Sequence, residues 1–174
     1  VIVSTEPRRP GFLEELKQFV KDKVLGLILT VIPRLLLVVN KTVPIADLQA
    51  KFNVPGGRII ALNLLEPDMV RVIHTFYFMV KDGKIVMIKD VNPYKTPPYA
   101  VIGIYYKALA WSILGRKKDG TPYDFWTAFW NDHIRVYTME GSENIQAFYF
   151  LTNCFEYAKR YSGGEVERIL EVLA

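Results

Sequence analysis

The run VLGLILTVIPRLLLVVN, residues 24–40, carries one charged side chain, Arg34, in seventeen positions. A segment this apolar has three outlets: it crosses a membrane, fills a core, or walls a site for an apolar ligand. As a helix, residues 24–39 rise about 1.5 Å each, roughly 24 Å in all, short of the roughly 30 Å hydrocarbon layer. Pro33 and Arg34 also lie inside the run, and proline removes a helix hydrogen bond. A secretory signal is not expected either: VIVSTEPRRPGFLEELKQFVKDK ahead of the run mixes charges, and no small-residue cleavage site follows. The run therefore belongs inside a folded body.

A chain of 174 residues is expected to form one domain whose core needs no covalent staples. The 23% charged residues are ordinary, but 51% hydrophobic is high, and 13% aromatic exceeds what a core of this size needs. The single cysteine, Cys154, cannot form an internal disulfide, which points to a reducing, cytoplasmic setting. Its apolar helical surroundings make it a small buried hydrophobe. The net charge of +4 is spread out, with only Arg8-Arg9 and Arg116-Lys117-Lys118 as clusters. Nucleic-acid binding requires a denser basic stripe and is not expected.

Periodicity supplies the elements. Phe12, Leu13, Leu16, Phe19 and Val20 share one helical arc, with Glu14, Glu15, Gln18, Lys21 and Asp22 opposite. From Val24 the polar face disappears, so this helix is expected to dive into the body, buried all round, until Pro33 stops or kinks it. A short helix is expected over 42–52. Strands are expected over 58–65 and 70–80, the latter placing Val70, Val72, His74, Phe76, Phe78 and Val80 on one face. Asp82-Gly83 predicts a type I′ hairpin that sets Val80 against Ile85 and Phe78 against Met87. A fourth strand is expected at YAVIGI, then a helix over 105–114 ended by Gly115. Thr121-Pro122 predicts the cap of a helix over 123–132, with Phe125 and Phe129 on one line and Trp126 and Trp130 on the next. IRVYTM reads as a fifth strand. Ser142 caps a long helix to about Tyr161, whose stripe of Ala147, Leu151, Cys154 and Ala158 is flanked by Phe148, Phe150, Phe155 and Tyr157. A final helix is expected over 165–173.

Catalytic equipment is thin. His74 reads as a core histidine and His133 as a helix-end cap; neither has neighbours at metal-ligand spacing, and zinc needs three or four ligands. No Gly-x-Ser-x-Gly elbow, P-loop or dinucleotide fingerprint is present. Asp124 and Asp132 stand over two helical turns apart, too far for a carboxylate pair. No enzymatic activity, cofactor or metal is expected. The apolar surplus leaves two readings open, a well-filled core or a cavity.

The order of elements, with the KDGK hairpin, resembles the sterol carrier protein type two family. SILG ending at Gly115, AFWNDHIRV with Ala128, Phe129, Ile134 and Arg135, and EGSENIQAFYFL match the family's pattern of helix, basic strand and closing helix. The resemblance covers roughly residues 55–160, between a helical part, 1–54, and a terminal helix, 161–174. Asp132 stands where the family has glycine, RKKDGT and YTME are small insertions, and residues 33–54 exceed the family's length. The resemblance implies a non-catalytic α+β domain: a five-stranded, mostly antiparallel sheet whose helices enclose a tunnel for lipids, acyl chains or sterol-like molecules.

The cavity is then expected to take Ile28 and Val31 from the apolar run and Phe76, Phe78 and Met87 from one sheet face. Trp111, Phe125 and Phe129 join from the short helices, and Phe148, Leu151 and Phe155 from the last long one. If the space between that face and the helices is solidly packed, the reading as a carrier with an internal tunnel fails. The function expected is carriage or presentation of a fatty acyl, isoprenoid or sterol-like ligand, with transient anionic-membrane contact through Arg116, Lys117 and Lys118. The alternatives are an interaction module with exposed apolar helices and a small enzyme acting on acyl substrates.

Overall fold

The computed structural model describes residues 11–42, 57–137 and 143–161, together with Gly164 and Arg168. Among the described residues the chain is α+β, with four helices and a five-stranded mixed sheet. Helix α1 (Phe12–Thr42) precedes β1 (Arg58–Leu65), β2 (Val72–Lys81) and β3 (Lys84–Ile88). Strand β4 (Ala100–Tyr105), α2 (Tyr106–Leu114), α3 (Phe125–Trp130), β5 (Ile134–Val136) and α4 (Glu143–Tyr161) follow. The helices expected over 42–52 and 165–173, and the Ser142 cap, lie outside the described residues apart from Thr42 and Arg168.

The strand order is β3-β2-β1-β4-β5. Only the β1–β4 pair is parallel; the other three are antiparallel. Asp82 and Gly83 both take positive φ, 52° and 73°, as a type I′ turn demands. The hairpin register is the expected one, Val80 against Ile85 and Phe78 against Met87. Registration aligns Ile60, Leu62 and Leu64 of β1 with Phe78, Phe76 and His74 on one side and Ala100, Ile102 and Ile104 on the other. Side chains alternate along a strand, so these residues share one face, which α1 and α4 cover. On the other face Gly103 admits close approach: a Cβ there would come within 2.7 Å of Leu65 Cδ1.

Helix α1 departs from expectation twice. Pro33 does not stop it: the helix is 31 residues long with Pro33 inside. A proline at 33 frees the carbonyl of Leu29, and both Leu29 and Pro33 face outward, so the lost hydrogen bond falls on the solvent side of the helix. Nor is the apolar run buried all round. Val24, Ile28, Val31, Ile32, Leu35, Leu36 and Val39 are buried, while Leu29 and Leu37 are exposed. The helix lies on the sheet rather than inside the body. It runs antiparallel to β1: Lys21 forms an ion pair with Glu66, just beyond the end of β1. Its other end is fixed by Asn40, which exchanges two hydrogen bonds (2.8 and 2.9 Å) with the Ile85 backbone.

Helix α2 ends as expected at Gly115, left-handed with φ 81° and its N–H donated to the Trp111 carbonyl. The start of α3 differs. Its N-cap is Asp124, not Thr121, because Asp124 is extended and its carboxylate accepts from the Thr127 N–H at 2.7 Å and the Thr127 hydroxyl at 2.8 Å. The Thr127 backbone N–H holds the Asp124 carboxyl below its usual range. Thr121 instead donates its N–H to Asp119 in the preceding turn.

Candidate functional site

Phe125, Phe148, Leu151 and Phe155 converge on the sheet, around a slot completed by Leu62, Ile102, Ile104, Leu109 and Ile134. Its volume is about 20 Å³, room for about one water. The tunnel expected at this place is a packed core among the described residues. Side chains of α4 fill the space over the sheet. Phe148, Leu151 and Phe155 occupy it, while the small residues Ala147, Cys154 and Ala158 of the same helix are fully buried. Burial pushes the Cys154 thiol up to about 12, in keeping with a packing role.

The remaining expected cavity residues are distributed differently. Ile28, Val31, Phe76 and Phe78 are buried in the core, and Met87 is half-buried against it. Trp111 belongs to a separate aromatic cluster behind α2. Its ring lies 5.3 Å from Tyr123 and 5.9 Å from Tyr105, and Tyr123 shares a 2.5 Å hydrogen bond with His133 Nδ1. The Lys117 ammonium caps this cluster at 5.2 Å from the Trp111 ring and 5.5 Å from the Tyr123 ring. Burial pushes the Tyr105 and Tyr123 hydroxyls up to about 12. Burial first, then the Lys117 charge, lowers the pKa of His133. His133 is therefore a half-buried hydrogen-bond partner of Tyr123, not a simple helix cap.

Phe129 faces a much larger opening, a groove of about 1140 Å³ between α3, β5 and α4. Trp126, Phe129 and Trp130 form one wall, Ile145, Phe148 and Tyr149 the other, with Ile134 and Val136 between them. The walls are held by ring contacts: Phe129 stacks on Phe148 at 5.8 Å, and Trp126 meets Phe148 edge-on at 5.9 Å. Trp130 is 78% exposed. Ile134 and Phe148 line both groove and slot, so the Phe148 ring is the partition between them. The aromatic ladder on 125–130 signalled this surface, but Ile145 and Tyr149 carried no comparable signal, being one turn apart on a helix whose apolar arc already covered half its circumference.

Of the basic loop, Lys118 is exposed, whereas Arg116 and Lys117 are half-buried. Among the described residues no group of three His, Cys, Asp or Glu is placed to hold a metal ion, and no helix is long and apolar enough to cross a membrane. Comparisons with protein-family models, curated proteins and solved structures return no match to this chain.

Proposed function

We propose that the protein binds a long apolar ligand, a fatty acyl, isoprenoid or sterol-like molecule, and carries or presents it without chemical change. The groove carries this reading. It is concave, its walls are mainly aromatic, and its volume is of the order of ligand pockets, about 300–1,000 Å³. Two polar side chains, Asp132 and Arg135, stand on its lining and suit an ester, carboxylate or hydroxyl at one end of such a molecule. Asp132 takes φ 57°, a conformation natural to glycine. That supports the resemblance at the position where the sterol-carrier pattern has glycine.

Fluorescence titration with a long-chain fatty acid tests the proposal. A saturable blue shift is expected, retained in Trp111→Phe and lost in Trp126→Phe/Trp130→Phe. Absence of a saturable shift, or a shift that follows Trp111 instead, removes the groove as the binding site.

A further inference from the structure

A second opening, of about 420 Å³, lies where the turn ahead of α3 meets α4, and its chemistry differs from that of the groove. Tyr149, Thr152, Asn153 and Glu156 line it from α4; at i, i+3, i+4 and i+7 they share one face of that helix. Asp124 and Trp126 join them from the start of α3. The Trp126 and Tyr149 rings, 5.5 Å apart and inclined at 48°, line both this pocket and the groove. The pocket lining holds two carboxylates and no lysine, arginine or histidine, in a chain whose net charge is +4. We propose that this pocket binds a small organic cation, an alkylated ammonium group seated between the aromatic rings and the Asp124 and Glu156 carboxylates.

Three observations select that ligand class. First, the volume falls within the range of small-molecule sites, about 300–1,000 Å³. Second, both carboxylates have capacity to spare. Glu156 is half-buried and has no ion-pair partner among the described residues. Asp124 takes both Thr127 bonds on one oxygen, Oδ1, and a carboxylate offers about four acceptor positions, so it caps α3 and still faces a ligand with charge. Two basic side chains of the adjoining segments are engaged elsewhere: Lys117 rests on the Trp111 and Tyr123 rings, and Arg160 lies 5.8 Å from the centre of the Tyr157 ring. Third, the walls are aromatic. The face of a tryptophan or tyrosine ring attracts a cation, and inclined rings of this kind suit an alkylated ammonium, which presents apolar surface and charge together. A metal ion fits less well, because it needs a fuller set of oxygen or nitrogen ligands, and among the described residues no third acid, histidine or cysteine joins Asp124 and Glu156.

Calorimetric titration of the full chain with choline at low ionic strength tests this, with the uncharged isostere 3,3-dimethyl-1-butanol as the control. Choline is expected to bind saturably and the isostere far more weakly. Glu156→Gln and Asp124→Asn should each weaken choline about fivefold, the effect of losing one close charge in a wet site, and the double variant should abolish binding. Both substitutions preserve shape, and circular dichroism checks the fold. No binding of choline overturns the proposal, as does equal binding of the isostere or a double variant that binds like the wild type. Calcium ions that bind at these carboxylates and exclude choline make it a plain carboxylate site and equally overturn it. Octyltrimethylammonium separates the two sources of such a cation. Affinity equal to that of choline identifies a free cation; tighter binding identifies a head group whose tail runs past Trp126 into the groove, and both uphold the pocket. Fatty-acid titration of the groove should be unchanged in Glu156→Gln, so this proposal and the ligand reading of the groove fail separately.

Discussion

Phe148→Ala tests the wall between slot and groove. The side chain is 5% exposed and touches Trp126, Phe129 and Tyr149. Removing its ring opens about 100 Å³, which at ~24 cal/mol per Å³ is about 2.4 kcal/mol for the cavity alone, before the lost transfer energy. The usual range for such a change is about 3–5 kcal/mol. Water entering from the groove side keeps the cost near the lower end, at about 3 kcal/mol. In a domain of this size that lowers Tm by about 6–12 °C. Urea denaturation should show a reduced midpoint with an unchanged slope. The same deletion joins the slot to the groove, so a fluorescent fatty-acid analogue should bind several-fold more tightly. A stability loss below about 1 kcal/mol refutes the packing of Phe148 as a wall. Full destabilisation with unchanged probe binding refutes its role as the partition.

Other consequences follow from individual contacts. Asp124→Ala removes the α3 cap and should cost about 1 kcal/mol in urea denaturation, with Asp124→Asn retaining most of it. Ser112 is fully buried, and its hydroxyl has no hydrogen-bond partner among the described residues; Ser112→Ala should therefore raise stability by up to about 1 kcal/mol. The folded-state pKa of His133 is lowered, so below about pH 6.5 the unfolded chain binds the proton more readily and stability falls as pH drops toward the folded pKa. The Asp68, Asp119 and Asp124 carboxyls are held below their usual range and weaken the fold only below about pH 4. A fall in Tm between pH 6.5 and 5 that His133→Gln reduces is thus expected, and an identical fall in that variant contradicts the assignment. If the basic loop meets anionic bilayers, exposed Lys118 supplies most of the attraction, about 1 kcal/mol. Lys118→Ser should then lower salt-sensitive vesicle binding nearly as much as replacing Arg116, Lys117 and Lys118 together.

The hairpin was legible because two independent signals agree there, alternation on both strands and a turn pair suited to positive φ. The start of α3 was not, since Thr121-Pro122 and Asp124 are both competent caps and only tertiary packing decides between them. Pro33 misleads for a related reason. The local rule forbids a helix interior, but the outward position of Leu29 puts the lost hydrogen bond on the solvent side. At the site, the helical period of α4 identified Phe148, Leu151 and Phe155 as one apolar arc. How closely that arc approaches the sheet is set by tertiary packing, a distance that periodicity does not carry. The expected tunnel therefore became a filled slot, and the accessible apolar surface moved outward to Trp126, Phe129 and Trp130.

Native mass spectrometry of the freshly purified chain, before and after incubation with a long-chain fatty acid, tests the ligand-binding account most directly. The wild type should carry adducts of lipid mass that are lost on denaturation, and Trp126→Ser/Trp130→Ser should carry far fewer at equal folding. A wild type that stays at bare-chain mass even with fatty acid in excess, or a double variant loaded as fully as the wild type, contradicts the account.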